Sequence, residues 1–180
     1  TAAPATAASS LSLWPVIAVA YNPYFPSPQD QHEENQRLIQ KLQVVVTTRG
    51  ASGGTTTTQP QQQPQTVVRK IYFQFGTDLQ KLKTGIEFVK TNSSGSKITL
   101  AGSLFVPSAK LIAQQQFRPW KGVYLTPEFL RGPQPAGQII VEMLKLYRQH
   151  DMELLWEAPG IRTEKDLATI LDLMHRATTS

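Results

Sequence analysis

The sequence predicts an α/β domain built on a parallel sheet. Three observations carry this. Short apolar runs alternate with longer segments of helical periodicity, in the order strand–helix repeated four times. The apolar runs are continuous, as strands covered on both faces require. Neither a helical nor a strand-only pattern is sustained along the chain. Four β/α units make about half of a (β/α)8 barrel, which typically takes about 250 residues, so TIM-barrel-like repeats are expected. A short open α/β sheet is the alternative.

The first strand is read in WPVIAVAYNPYFPSP, at Val16 to Ala20, stopped by Asn22 and Pro23. A helix from Gln29 to Leu42 follows. Its acids Asp30, Glu33 and Glu34 precede Arg37 and Lys41, the order that suits the helix dipole. The second strand spans Val68 to Phe75, and TDLQKLKTGIEFVKTN is the second helix. Thr77 or Asp78 is its natural N-cap, and Leu79, Leu82, Ile86 and Val89 form its apolar face.

SKITLAGSLFVPS gives the third strand, and a short helix starts near Pro107 or Ser108. RPWKGVYLTPEFL is a compact aromatic segment with a possible short strand at Val123–Leu125. PAGQIIVEMLKLYRQHD is strongly amphipathic, MELLWEAPG reads as the fourth strand, and TEKDLATILDLMHRA as the last helix. That helix opens on a capping-box pattern, Thr163 with Asp166, aspartate standing for the usual glutamate.

Residues 13–176 are read as one domain, with 1–12 a featureless leader or chain edge and 177–180 a tail. Residues 47–66, rich in Thr, Gln, Gly and Pro, read as a low-complexity insertion that cannot bury enough surface to order itself. Loop closure grows only slowly with length, so the insertion need not split the domain.

With no cysteine, the chain has no disulfide, thiolate chemistry or cysteine-ligated metal site. The formal charge of +5 is spread out, without the basic stripe that nucleic-acid binding wants. No apolar run approaches a membrane span. His32, His150 and His175 share no helical face with one another or with a placed carboxylate, which argues against a metal site. His150 and His175 stand near helix ends, where a charged imidazole suits the dipole. Phosphate loops, G-x-G-x-x-G and G-x-S-x-G are absent. The compartment is left open, cytoplasmic or mitochondrial.

Parallel α/β folds bind ligands at the carboxyl ends of their strands. Those ends offer Tyr21 and Asn22, then Gln74, Gly76, Thr77 and Asp78, then Gly102 and Ser103, then Glu157. A glutamine there donates and accepts at once, which suits an amide-bearing heterocycle. The plain alternatives are that Asp78 caps its helix, Gln74 bonds to a neighbouring strand end and Gly102 only permits close packing.

In order and spacing, VIAVAYNPYFPSP, ENQRLIQKL, IYFQFGTD, ITLAGSLFVPS and IIVEMLKLYRQHDMELLWEA resemble the C-terminal half of the methylenetetrahydrofolate reductase barrel, from Leu13 to Met174. The resemblance implies an FAD-dependent oxidoreductase that reduces a folate with NAD(P)H as electron donor. It implies flavin contacts at Tyr21, Glu34 and Lys41, and folate contacts at Gln74 and Asp78. Phe25 stands where the family has a histidine, and Ala109 where it has the aromatic that stacks on folate. Trp156-Glu157-Ala158 replaces a stretch with a tyrosine, with Arg162 the nearest stand-in for a following arginine. The family's general acid and flavin-tuning aspartate belong to the N-terminal half. The implied partner is therefore that half-barrel or another protein chain. The competing expectation is a reductase-derived, noncatalytic subunit of a larger assembly.

Overall fold

The computed structural model describes residues 17–44, 67–94, 96–157, 161 and 163–179. Residues 1–12, Val16, the insertion 47–66, Ala158 and Arg162 lie outside the described residues. The elements are β1 (Ile17–Tyr21), α1 (Pro28–Leu42), β2 (Val68–Phe73), α2 (Leu79–Asn92), β3 (Thr99–Leu104), α3 (Ala109–Phe117), α4 (Pro127–Leu130), α5 (Pro133–Gln149), β4 (Glu153–Trp156) and α6 (Glu164–Thr179). The domain is α/β, with a four-stranded parallel sheet in the order β1-β2-β3-β4.

Local chemistry sets the helix starts. Ser27 caps α1 ahead of Pro28, Asp78 caps α2 by accepting from the Lys81 N–H, and Ser108 caps α3. At α6 the Thr163 and Asp166 side chains each accept the other's backbone N–H, at 2.9 and 3.3 Å, so aspartate closes the box despite its shorter arm. The helix runs on to Thr179, through most of the expected tail.

Strand order decides where the helices go. A monotonic parallel order with right-handed crossovers returns every helix to the same face. Side chains of the row Tyr21–Phe73–Gly102–Leu154 mark that face. Tyr21 donates to Asn35 of α1 and stacks on Phe88 of α2, while a Cβ on Gly102 would lie 2.3 Å from the Tyr147 ring of α5. The main core lies here, with Leu38, Phe73, Ile86, Leu104, Ile140 and Tyr147 all buried.

The opposite face differs from the expectation of strands covered on both sides. Its row is Ala20–Tyr72–Ala101–Glu153. Ala18, Ala20 and Glu153 are exposed, and Tyr72 is half-buried. Lys70 reaches across β3 to pair with Glu153 at 2.5 Å. No described helix covers this face because the strand order never reverses.

No helix among the described residues is long and apolar enough to cross a membrane.

Candidate functional site

The carboxyl ends of β1 and β2 lie side by side, the Gln74 N–H donating to the Tyr21 carbonyl at 2.9 Å. Over them docks the aromatic segment between α3 and α4. Gly122, at φ +85°, makes the turn that follows Trp120, a backbone angle that favours glycine. The Gly122 carbonyl accepts from Asn22 Nδ2 at 3.0 Å. Tyr124 forms a single parallel bridge with Gly76, and its carbonyl accepts the Thr77 N–H at 3.1 Å. The expected strand at Val123–Leu125 is therefore one bridge long. The Thr126 N–H donates to the Thr77 hydroxyl at 2.7 Å, and Thr126 caps α4, a short helix the periodicity did not announce.

Ring contacts hold the segment down. Phe25 meets Tyr124 at 5.6 Å, and Phe105 meets Trp120 edge-on at 5.6 Å. Gly76 gives the Tyr24 ring its place, since a Cβ there would lie 2.4 Å from that ring.

A cleft of about 330 Å³ opens beneath this segment. Asp78, Lys81, Gln115 and Thr126 supply polar groups, and Pro26, Pro119, Val123, Tyr124, Leu125 and Leu130 supply apolar walls, with Tyr24 at the base. Asp78 spends one oxygen on its helix cap, and Lys81 Nζ donates to the Phe25 carbonyl at 2.8 Å. Gln115 Oε1 accepts the Trp120 N–H at 3.1 Å, but its Nε2 is buried with no hydrogen-bond partner. The Tyr24 hydroxyl is also buried, and it interacts with the Tyr147 hydroxyl through a side-chain hydrogen bond. Burial pushes the Tyr24 hydroxyl pKa up, and Tyr147 and Asp78 push it further, so the phenol is neutral.

The five residues singled out from the sequence do not form one cluster. Gln74 lies at the mouth of β2, exposed and without a side-chain hydrogen-bond partner, near Gly122. Asp78, four residues on, lines the cleft, which Gln74 does not. Tyr21 points into the helix-covered core, its hydroxyl donating to Asn35 Oδ1 at 2.8 Å. Burial, then the negative charge of Glu34, raises the Tyr21 pKa. Glu34 accepts the Asn22 N–H at 3.2 Å and pairs with Arg37 at 3.3 Å. Lys41 is exposed and reaches the Ala20 carbonyl at 3.5 Å.

Other candidates serve packing. Gly102 makes room for Tyr147, whose hydroxyl donates to the Ser103 carbonyl at 3.3 Å. The backbone of Glu157 continues the β3–β4 pairing through Leu104. His150 stands at the C-cap of α5, the helix end expected for it; burial and then Lys90, whose Nζ lies 3.0 Å from Nδ1, lower its pKa. No group of three potential metal ligands occurs among the described residues.

Sequence reasoning missed Gln115 and Tyr24. The signal for Gln115 is its phase: with Leu111 and Ile112 it completes the buried side of α3. Tyr24 carries no such signal, because its place depends on the distant Gly76. The chain matches no protein-family model, no curated protein and no solved structure.

Proposed function

We propose that the chain is one half of a TIM-type barrel resembling methylenetetrahydrofolate reductase. In this reading it binds a folate-like heterocycle beside FAD and contributes to hydride transfer in one-carbon metabolism. The observation that carries this is Gln74: exposed at the carboxyl end of a parallel strand, with its side-chain amide unengaged. An amide there pairs with the lactam edge of a pterin, donating and accepting together. The winding supports the same reading. A sheet whose order never reverses, with helices on one face, is that of successive units in a (β/α)8 barrel, whereas a doubly wound sheet reverses its order.

The residues fit the cofactor in part. Bound FAD would supply the hydride carrier, reduced by NAD(P)H. Lys41, exposed on α1, is the group suited to a diphosphate. Tyr21 and Glu34 spend their polar atoms on Asn35, Asn22 and Arg37, so they act as positioning residues for the Asn22 turn. Asp78 orders the start of α2.

Visible absorbance during FAD titration, followed by titration with 5-methyltetrahydrofolate, tests this. A shifted flavin band and folate binding weakened about tenfold by Gln74→Ala are expected, the size of one lost hydrogen bond. Unaltered folate affinity in Gln74→Ala would remove the reading's main support.

The noncatalytic alternative rests on the open face and the β1 and β4 edges of the described sheet. In that reading a partner β/α unit covers them, in cis or from another chain. Retention of a protein partner by a chain that binds neither FAD nor folate would favour it.

A further inference from the structure

We propose that a second copy of the same chain completes the open sheet, the two closing into one eight-stranded ring. This rests on the barrel reading above, but not on its ligands. The first support is the order of side chains on the open face. Across one row, Ala20, Tyr72, Ala101 and Glu153 alternate short and long. The rows on either side keep the pattern, with Ala18, Lys70 and Thr99 below and Ser103 beside Leu155 above. On this face β1 and β3 are short throughout, and β2 and β4 carry the bulk. A (β/α)8 barrel fills each interior layer with four side chains from alternate strands. One copy supplies two of the four, and a second copy supplies the rest. Each seam then sets long β4 residues beside short β1 residues, so the alternation runs unbroken round the ring. The Lys70–Glu153 pair gives each charge on this face an opposite partner, which a closed interior requires.

The lateral edges give the second support. At β4 the helical cover stops short: Leu154, in the row of the buried Phe73 and Gly102, is 39% exposed. Beside it, α6 turns Ile170 and Leu173 inward and presents Leu167, Leu171 and Met174 to solvent, 52%, 67% and 38% exposed. Their spacing puts the three on one helix face. At the other edge Ile17 is 44% exposed, and Val19 and Leu42 are half-buried. The edge of β4 and α6 therefore meets the edge of β1 and α1 of the other copy, apolar on apolar. Two copies use this head-to-tail contact twice and close, leaving no strand edge open. Lys41 reaches the Ala20 carbonyl at 3.5 Å, too long a bond to hold the β1 edge shut. All strands of the ring run parallel, so closure brings the Gln74 residues of both copies to one end. The mouth that Gln74 occupies is complete only in the dimer.

Sedimentation velocity of the full chain, from micromolar to submillimolar concentration, tests this. The expected species has twice the 20.0 kDa mass of one chain. A single-chain mass throughout overturns the proposal, and so does a species that keeps growing with concentration, because its edges pair without closing. Ile17→Lys and Leu171→Glu stand on opposite edges and should each weaken dimerisation at least about tenfold. Both positions are exposed, so far-UV circular dichroism should match the parent. A dimer unchanged by Ile17→Lys overturns the seam. Tyr72 is half-buried in the single chain and interior in the ring, so Tyr72→Ala is nearly neutral in the dilute monomer and weakens the dimer. The chain has no cysteine, so Leu171→Cys reports on one contact alone. In the ring the two α6 helices lie on opposite sides, and oxidation should give no disulfide-linked dimer. Such a dimer would place α6 against α6 and overturn the ring. A dimer that binds neither FAD nor folate leaves this proposal standing, whereas a monomer that binds both refutes it and spares the ligand reading.

Discussion

The two faces of one sheet are built on different principles. Phe73 and Tyr72 are neighbours in β2, yet Phe73 is fully buried under helices while Tyr72 stands half-buried on the open side. The covered face is packed by rings and close contacts, Tyr21 against Phe73 at 5.4 Å and Gly102 against Tyr147. The open face relies on small residues, Ala18, Ala20 and Ala101, and on the Lys70–Glu153 pair. The difference teaches that packing among the described residues is concentrated on one side of the sheet.

The sharpest way to break this contrast is to truncate the neighbours. Phe73→Ala should cost about 3–5 kcal/mol in urea denaturation, the range for large core aromatics. Tyr72→Ala should cost no more than about 1 kcal/mol. Equal costs would mean that the open face is covered in solution.

Gly102→Ala probes the covered face by overpacking. The new methyl meets the Tyr147 ring at 2.3 Å, and buried neighbours leave little room to shift. A loss of about 2 kcal/mol is expected in the same assay. A stability unchanged from the parent would show that α5 moves away freely.

Asp78→Ala removes the α2 cap and should cost about 1 kcal/mol. Asp78→Asn, which keeps the capping oxygen, should recover most of it.

The smallest effect is on pH. The folded state holds His150 below its ordinary value of 6.5, through burial and then Lys90. The unfolded chain therefore takes up that proton first as the pH falls. The contribution of His150 is full above the unfolded value, declines as the pH drops through it, and levels off below the folded value. Denaturation midpoints from about pH 8 to pH 5 should fall less steeply in His150→Gln than in the parent. Parallel slopes would show that the imidazole does not contribute.

Much was legible along the chain because its causes are local. The caps at Asp78 and Ser108, the Thr163–Asp166 box and the alternation of strands and helices all follow from residues a few positions apart. A parallel sheet follows from that alternation, since parallel strands need crossovers. Gln74 was placed at a strand end by its position in the run. Its distance from the cleft was not legible. Gln74 and Asp78 look like a pair in sequence, but only Asp78 lies beneath the docked segment.

The sequence by itself determined the types and order of the main strands and helices, α4 apart, most of their boundaries, and the caps at Asp78, Ser108 and Thr163–Asp166. Tertiary structure alone decided which face of the sheet the helices cover, where RPWKGVYLTPEFL docks, and that Tyr24 and Gln115 meet at one cleft. The physical reason is range. Caps and periodicity are set by hydrogen bonds and side-chain phase within a turn or two. The docked segment is held by partners far away in sequence: Asn22 to Gly122, and Thr77 to Tyr124 and Thr126.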